Sequence, residues 1–323
     1  MNEIIKVYVG SDRSQSLAVK VLEYSIKRHT DRQVEVIPMT DLKIPEPRDV
    51  RQSQRTGFSF ARWAIPELAG HKGKAIYVDA DMQVFRDIDE LWNVPLNGAK
   101  IAVLEPQRET AENVHYSKNE SSVMVLDCEK CDWTLEGLVK RLDDDFTYDG
   151  LMRDLCFLNE QDIARTIPAD WNRLESFPQT TGLLHFTLMP TQPWVSARNP
   201  LRHVWINEVR RMVDDGELSC DEIQQEIDLG YFRPSLMLEI KEESPDFNND
   251  EWISKLEGVD RKAGYVPHRS VEEFNRRRAR ALKSYERELA FKKGLGAYTS
   301  FIAKEVLDDA KNVARGFRSK LRS

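Results

Sequence analysis

The chain has 323 residues, of which 41% are hydrophobic, and this is enough to bury the core of one large domain or of two smaller ones. No apolar run approaches the ~18 residues that a membrane span needs. The first residues enter a strand pattern directly, without the basic and apolar segments of a signal peptide, so we expect a cytoplasmic protein. The net charge of −7 argues against a nucleic-acid partner.

Strand and helix patterns alternate through the first third of the chain and continue beyond it. Apolar runs typical of strands lie at residues 4–9, 34–38, 75–78, 101–104, 122–126 and 182–186, and residues 160–167 carry a polar turn into a further apolar run. Helical periodicity marks residues 14–28, 58–68, 88–92, 201–213 and 220–227. This alternation predicts an α/β protein with a Rossmann-like, mostly parallel sheet flanked by helices, and with ligands at the carboxyl ends of its strands.

The most informative strand is Ala75–Val78, because it ends in two carboxylates one residue apart, Asp79 and Asp81. On an extended chain alternate side chains point to the same side, so both carboxylates face one site. Acidic residues also follow buried strands simply to solvate a loop. Here apolar residues continue on both sides of the pair, and unpaired charge near a core is costly, so the pattern favours a bound divalent cation.

The four cysteines do not predict a metal site. Only Cys128 and Cys131 have ligand-like spacing, and a structural zinc site needs four such ligands. We therefore interpret them as reduced, free thiols.

A second set of residues follows in the same order as in a known family. His185 lies in the segment 184–194, which ends in Pro193-Trp194, and Tyr77-Val78-Asp79-Ala80-Asp81 precedes it. With Val7–Asp12 and Ala61–Leu68, these segments resemble family 8 glycosyltransferases over roughly residues 4 to 194. The resemblance implies the GT-A fold, a UDP-sugar donor, Mn²⁺ with Mg²⁺ as the alternative, and sugar transfer with retention of configuration.

The resemblance also implies roles for individual residues. It assigns the metal ion to Asp79, Asp81 and His185. Gln192 stands where the family has a lysine that neutralises diphosphate charge, and its amide and the Thr191 hydroxyl remain potential donors to phosphate oxygens. The full set that the resemblance assigns to the donor is Val9, Gly10, Asp12, Arg62, Asp79, Ala80, Asp81, Glu160, Thr191 and Gln192.

Plainer interpretations of these residues stay open at this point. Asp12 has the position of a helix cap, and Arg62 that of a side chain extended along an apolar helix. A histidine beside Phe186 is often only a hydrogen-bonded structural residue. Haloacid-dehalogenase-type phosphatases also place D-x-D after a strand, but their motif has Thr or Val where this chain has Gln83.

The catalytic residues are expected in Glu160-Gln161-Asp162-Ile163, which resembles the D-Q-D motif of the family. The resemblance places Gln161 beside the anomeric carbon and lets Asp162 and Glu160 bind sugar hydroxyls. Since an amide is a poor nucleophile, we expect same-face attack rather than a covalent intermediate. A solvated turn is the alternative interpretation of the two acidic residues.

The C-terminal part of the chain differs in charge from the rest. Residues 268–323 contain 15 Lys+Arg and 7 Asp+Glu, whereas residues 1–267 contain 32 Lys+Arg and 47 Asp+Glu. The tail is helical in pattern, and Gly294 and Gly296 predict a break in it. It either packs on the body as a solvated amphipathic helix or contacts an anionic membrane peripherally.

The sequence thus predicts a catalytic domain at residues 1–196, a helical C-terminal part at 197–267 and a basic helical tail at 268–323. We expect a glycosyltransferase that moves a hexose from a UDP-sugar to a glycan, lipid or protein acceptor that the sequence does not identify. A non-catalytic nucleotide-sugar or glycan-binding protein on the same fold is the alternative.

Overall fold

A computed structural model describes residues 3–105, 119–242, 246–304 and 307. Its strands are β1 Ile5–Gly10, β2 Val34–Pro38, β3 Lys74–Asp79, β4 Met82–Val84, β5 Ile101–Leu104, β6 Val123–Asp127, β7 Ile163–Ile167, β8 Arg173–Leu174 and β9 Leu183–His185. Its helices are α1 Ser16–Arg28, α2 Ile65–Leu68, α3 Ile88–Trp92, α4 Leu135–Arg141, α5 Arg202–Asp214, α6 Cys220–Asp228, α7 Leu236–Lys241, α8 Asp250–Lys262 and α9 Arg269–Lys292.

The main sheet has six strands in the order β2-β1-β3-β6-β5-β7. Strand β6 is antiparallel to both of its neighbours, and the other pairs are parallel. Five strands therefore run in one direction, and the predicted α/β class with a mostly parallel sheet is confirmed.

A smaller sheet, in the order β4-β9-β8, stands beside the end of β3. Strand β4 follows β3 after only two residues, and it pairs antiparallel with β9 in a register that places Met82 opposite His185. Since β9 lies about a hundred positions later, this pairing brings His185, near the start of the segment 184–194, back to the D-x-D turn. The sequence did not predict β4 or β8 as separate strands.

Hydrophobic clusters cover both faces of the main sheet. One contains Ile5, Val7 and Ile76 together with α3, and the other contains Tyr8, Tyr77 and the side chains of α4. A third cluster joins α1 to residues 184–194 and to α5, α6 and α7. The segment 197–267 therefore shares a core with the preceding residues, and the boundary at residue 196 stays a prediction.

The predicted tail is a helix over its described part. Helix α9 ends at Lys292, Gly294 has a φ of 109°, and helix resumes over residues 295–304, so the break lies where the glycines predicted it. No residue of α9 is fully buried, but Tyr285 lies beneath Arg51 of the body at 5.8 Å. The tail residues 305–306 and 308–323 lie outside the described part of the chain.

No helix among the described residues is long and apolar enough to cross a membrane.

Candidate functional site

The candidate site lies where β1 and β3 end. Gly10, the last residue of β1, stands opposite Asp79, the last residue of β3, and the Ala80 amide donates to the Gly10 carbonyl at 3.0 Å. Two parallel strands therefore deliver their carboxyl ends to one point, as the topology predicts for a ligand site.

Asp79, Asp81 and His185 form one cluster. Each offers a ligand atom, and these atoms lie within 4.8 Å of one another. His185 Nε2 is 3.1 Å from Asp81 Oδ1, and the Phe186 amide donates to the Asp81 carbonyl at 2.9 Å. The strand pairing of β4 with β9 thus positions the imidazole beside the second carboxylate.

Asp79 is held by two donors from the body. Arg62 Nη2 donates to Asp79 Oδ1 at 3.3 Å, and the Tyr77 hydroxyl donates to the same oxygen. The Arg62 guanidinium also lies over the Tyr77 ring at 4.6 Å, and its Nη1 donates to the carbonyl oxygen of Ser121 at 2.5 Å. Arg62 is therefore fixed in place, and the second carboxylate oxygen of Asp79 accepts from no donor among the described residues.

Gly10 is required for this arrangement. A Cβ at this position would lie 2.2 Å from the Tyr77 hydroxyl oxygen, which is the atom that donates to Asp79. Any side chain there would therefore displace Tyr77. The glycine that the resemblance assigned to the donor site acts here by leaving room for a tyrosine.

His185 is oriented by Asn172. The imidazole Nδ1 donates to Asn172 Oδ1 at 2.9 Å, and Asn172 Nδ2 donates to Ser122 Oγ at 2.9 Å. Asn172 is only 1% exposed. Because Nδ1 is occupied, Nε2 is the nitrogen that faces Asp81, and a second residue that fixes a histidine in this way is usual behind metal ligands.

Gln192 binds inside the cluster rather than pointing into open space. Its amide nitrogen donates to Asp81 Oδ2 at 2.9 Å and to the Phe186 carbonyl at 2.8 Å, and the residue is 2% exposed. It therefore satisfies a carboxylate oxygen and adds no charge to the site.

The electrostatics of the cluster follow from burial and from neighbouring charges. Burial raises the pKa of Asp79, and the Asp81 carboxylate raises it further, against the attraction of Arg62. Burial by itself lowers the pKa of His185, but the carboxylates of Asp81 and Asp79 outweigh it and leave that pKa above its ordinary value. Two carboxylates close together in a buried place thus hold excess negative charge that a cation would neutralise.

These donor atoms fit a divalent cation. Among the described residues, one oxygen of Asp79 has no donor and Asp81 Oδ1 contacts the imidazole of His185. His185 Nε2 is the ring nitrogen that is not bound to Asn172. Mixed carboxylate and imidazole ligation suits Mn²⁺ better than Mg²⁺, which prefers oxygen and water.

A pocket of about 470 Å³ opens above the cluster, within the range of small-molecule sites. Asp79, Asp81, Arg62, Gln192 and Asp12 contribute to its wall. The other lining residues are Arg13, Ser14, Gln15, Arg55, Thr56, Gly57, Phe58, Ser59, Tyr148, Met152, Met189, Tyr231, His268, Ser270, Val271, Phe274 and Arg277.

The remaining residues that the resemblance assigned to the donor lie outside the metal cluster. Asp12 caps a 3-10 turn, accepting from the Ser14 amide at 2.8 Å, and it also lines the pocket, so its role in donor binding stays a prediction. Val9 and Ala80 are buried in the core, and the Val9 carbonyl accepts from the Met39 amide. Thr191 is not in the pocket wall, and its hydroxyl donates to the Leu188 carbonyl at 3.2 Å.

The structure does not bring Glu160, Gln161 and Asp162 to this pocket. They form a 3-10 turn that precedes β7, where the Asp162 carbonyl accepts from the amide of Lys100, just before β5. Glu160 pairs with Arg165, and the Asp162 side chain accepts from Asn159. A turn before a parallel strand lies at the amino edge of the sheet, whereas the pocket lies at the carboxyl edge. We therefore correct the assignment and leave these three residues out of the proposed site.

Sequence reasoning missed several residues of the pocket. Tyr148 and Met152 come from a segment that contains a π-helical turn, Gly150–Asp154, and the Met152 carbonyl accepts from Ser121 Oγ at 3.0 Å. Five more lining residues belong to the start of the basic tail. Sequence reasoning also missed Asn172, the hydrogen-bond partner of His185.

A known protein family matches the part of the chain that contains Asp79 and Asp81. The model of the family "Glycosyl transferase family 8" matches residues 3–138. The resemblance is confirmed over this segment. It contains β1, β3 and the D-x-D turn, which are the parts that the sequence motifs had linked to the family. The predicted GT-A type of α/β fold is confirmed with it.

Individual relatives are more distant. "Protein CDI" of Arabidopsis thaliana is 28% identical over 138 residues, which cover 38% of this chain and 52% of that protein. The chain thus spans about half the length of this curated relative.

Two glycosyltransferases are among the solved structures to which this chain is similar. Glycosyltransferase GlyE of Streptococcus pneumoniae TIGR4 is 15% identical, with a TM-score of 0.49, and the match covers 64% of this chain and 60% of GlyE. The galactosyltransferase LgtC, solved with donor and acceptor sugar analogs, is 12% identical with a TM-score of 0.43, covering 63% of this chain and 95% of LgtC.

Proposed function

We propose that this chain is a glycosyltransferase that moves a hexose from a UDP-sugar to a glycan, lipid or protein acceptor. The observation that supports it most is the cluster of Asp79, Asp81 and His185. Its two carboxylates line a pocket, and they lie in the segment that the family 8 model matches. The proposal includes Mn²⁺ as the metal and retention of anomeric configuration as the stereochemical outcome.

The roles of the residues follow from their contacts. Asp79, Asp81 and His185 would hold the cation, which when bound would offset the negative charge that develops on the departing diphosphate. Arg62 and Tyr77 keep the Asp79 carboxylate in place, and Asn172 keeps His185 Nε2 directed to the cluster. Asp12 lines the same pocket, and in this proposal it would bind the nucleoside at the end of β1.

The test is the release of UDP from UDP-glucose, UDP-galactose and their N-acetyl forms, with MnCl₂, with MgCl₂ or with EDTA. We expect metal-dependent release by the wild-type protein and its loss in Asp81→Asn and His185→Ala. Asp228→Asn, an exposed aspartate of α6, is the matched control and should retain activity. Wild-type activity in both site variants would refute the metal assignment.

A protein that binds donor without transferring sugar would give a different result. Metal-dependent thermal stabilisation by a UDP-sugar, with no release of UDP under any condition, would favour the non-catalytic alternative. Retention would be read from the anomeric configuration of the product by NMR.

A cytoplasmic location and peripheral membrane contact through residues 268–323 stay part of the proposal. The exposed basic surface of α9, which includes Arg276 and Arg280, supports membrane contact. Flotation with vesicles that contain an anionic lipid, compared with neutral vesicles, tests it, and equal flotation with both would refute it.

A further inference from the structure

The start of the tail helix is part of the pocket wall. His268, Ser270, Val271, Phe274 and Arg277 line the same cavity as the D-x-D carboxylates. Residues 270, 274 and 277 recur at intervals of three and four, so they share one face of the helix. This face points at the pocket, whereas the basic side chains at 276 and 280 do not line it.

A specific contact fixes the helix in this position. His268 has a φ of 51°, a left-handed conformation that is costly for a residue with a side chain. Its Nε2 hydrogen-bonds to the Met189 carbonyl at 2.5 Å, in the turn that leads to Gln192. The tail therefore enters α9 against the segment that carries one of the residues bound to Asp81.

Two arginines that line the pocket have no carboxylate partner in the part of the chain that the structure describes. Four arginines line it, of which Arg62 pairs with Asp79 and Arg13 pairs with Glu226 at 2.7 Å. Arg55 and Arg277 have no ion pair among the described residues, and the Arg55 guanidinium lies over the Tyr148 ring at 4.6 Å. Gln192, which donates to the Asp81 carboxylate, adds no charge.

A cavity with a cation-binding cluster and two unpaired guanidinium groups suits a ligand that carries several negative charges. Guanidinium groups bind phosphate oxygens through charge-assisted hydrogen bonds. We propose that Arg277 of the tail helix, together with Arg55, binds the phosphates of the nucleotide donor, so that α9 completes the donor site. This inference rests on the proposed function, because it concerns the donor of the same site.

The experiment measures the dissociation constants of UDP and of uridine by calorimetry, with the full chain in saturating MnCl₂. Arg277→Gln should weaken UDP binding about tenfold and leave uridine binding unchanged, because only UDP carries the phosphates. Arg55→Gln should act in the same direction, and the double variant more strongly than either. Arg280→Gln lies on the same helix outside the pocket, and it should bind UDP within about twofold of wild type.

The possible results separate the two proposals. If the wild-type chain binds UDP and Arg277→Gln binds it equally well, the role of α9 is refuted while the proposed function stands. Equal weakening of UDP and uridine would also refute the phosphate assignment. If the wild-type chain binds no UDP with Mn²⁺ or Mg²⁺, the proposed function fails and this inference fails with it.

A folding defect is controlled separately. Thermal unfolding of Arg277→Gln should match that of wild type, because Arg277 is exposed. If the variant is less stable, Arg277→Lys retains the positive charge and should restore most of the UDP affinity. Failure of the lysine variant to bind UDP better than the glutamine variant would count against the proposal.

Discussion

Glu239 of α7 lies fully buried between two arginines, and its replacement by glutamine should destabilise the protein strongly. Arg202 Nε donates to Glu239 Oε1 at 3.0 Å, and Arg233 Nη2 donates to Oε2. The side chains of Glu239 and Arg233 are 0% exposed and that of Arg202 is 2% exposed. Glu239→Gln keeps the volume but removes the negative charge, so two buried guanidinium groups lose their carboxylate.

The magnitude follows from this burial. Breaking a buried ion pair by removing one partner costs about 3–5 kcal/mol, because a charge is left uncompensated in a place without water. Arg233 keeps the Pro193 carbonyl at 3.0 Å and the Ser235 hydroxyl at 2.7 Å, whereas Arg202 already has one nitrogen without a partner. The loss therefore falls mainly on the contact between α5 and α7.

The assay is equilibrium unfolding in urea, with the slope compared between variants. Thermal unfolding gives a second measurement. In a domain of this order of size, a loss of about 1 kcal/mol in the free energy of unfolding lowers the melting temperature by roughly 2–4 °C, so the variant should melt about 6 °C or more below wild type. Glu257→Gln is the matched control, because its partner Arg198 is 63% exposed, and such pairs contribute about 1 kcal/mol or less.

The reasoning would be refuted if Glu239→Gln and Glu257→Gln lowered the free energy of unfolding equally, with unchanged slopes. A changed slope would show that the denatured state or the two-state assumption had changed, and the free energies would then need calorimetric measurement.

Three further predictions concern the site and the thiols. Asn172→Ala should weaken Mn²⁺ binding about 10- to 100-fold although the three proposed metal ligands are unchanged, because His185 loses the residue that orients it. Calorimetry measures the affinity, and an unchanged affinity would contradict this role. Because the pKa of His185 is raised above 6.5, Mn²⁺ affinity should fall as the pH drops through that raised value, with proton release on binding. In the metal-free protein, stability should change with pH in the opposite direction. The stabilisation that His185 gains from its pair with Asp81 is complete below pH 6.5 and is lost as the pH rises through the raised pKa. A melting temperature that stays constant over this pH range would contradict it. Burial raises the pKa of Cys128 to about 12, so iodoacetamide at pH 8 should label exposed Cys156 and spare Cys128 in the native protein, as read by mass spectrometry; equal labelling would contradict the buried placement.

Local signals were sufficient for many elements of the fold. The strands Val34–Pro38 and Ile101–Leu104 and the helix Ile88–Trp92 were predicted with the bounds that the structure has. Helix α8 was not predicted, and Leu256 is its one buried residue. Burial does not decide by itself which helices the sequence shows, because α9 was predicted as helical and buries none of its residues.

By itself, the sequence determined that Asp79 and Asp81 face one site, because alternation along a strand is a local property. The sequence also indicated His185 as their partner, but only through the resemblance of the segment 184–194 to a family motif. Tertiary structure decided the rest. The edge of the sheet at which a turn lies depends on the direction of the strand beside it. The similarity of Glu160–Asp162 to a family motif therefore did not show that this turn lies away from the pocket. The contacts of Asn172 with His185 and of α9 with the pocket join segments far apart in the chain, and no local pattern specifies such pairings.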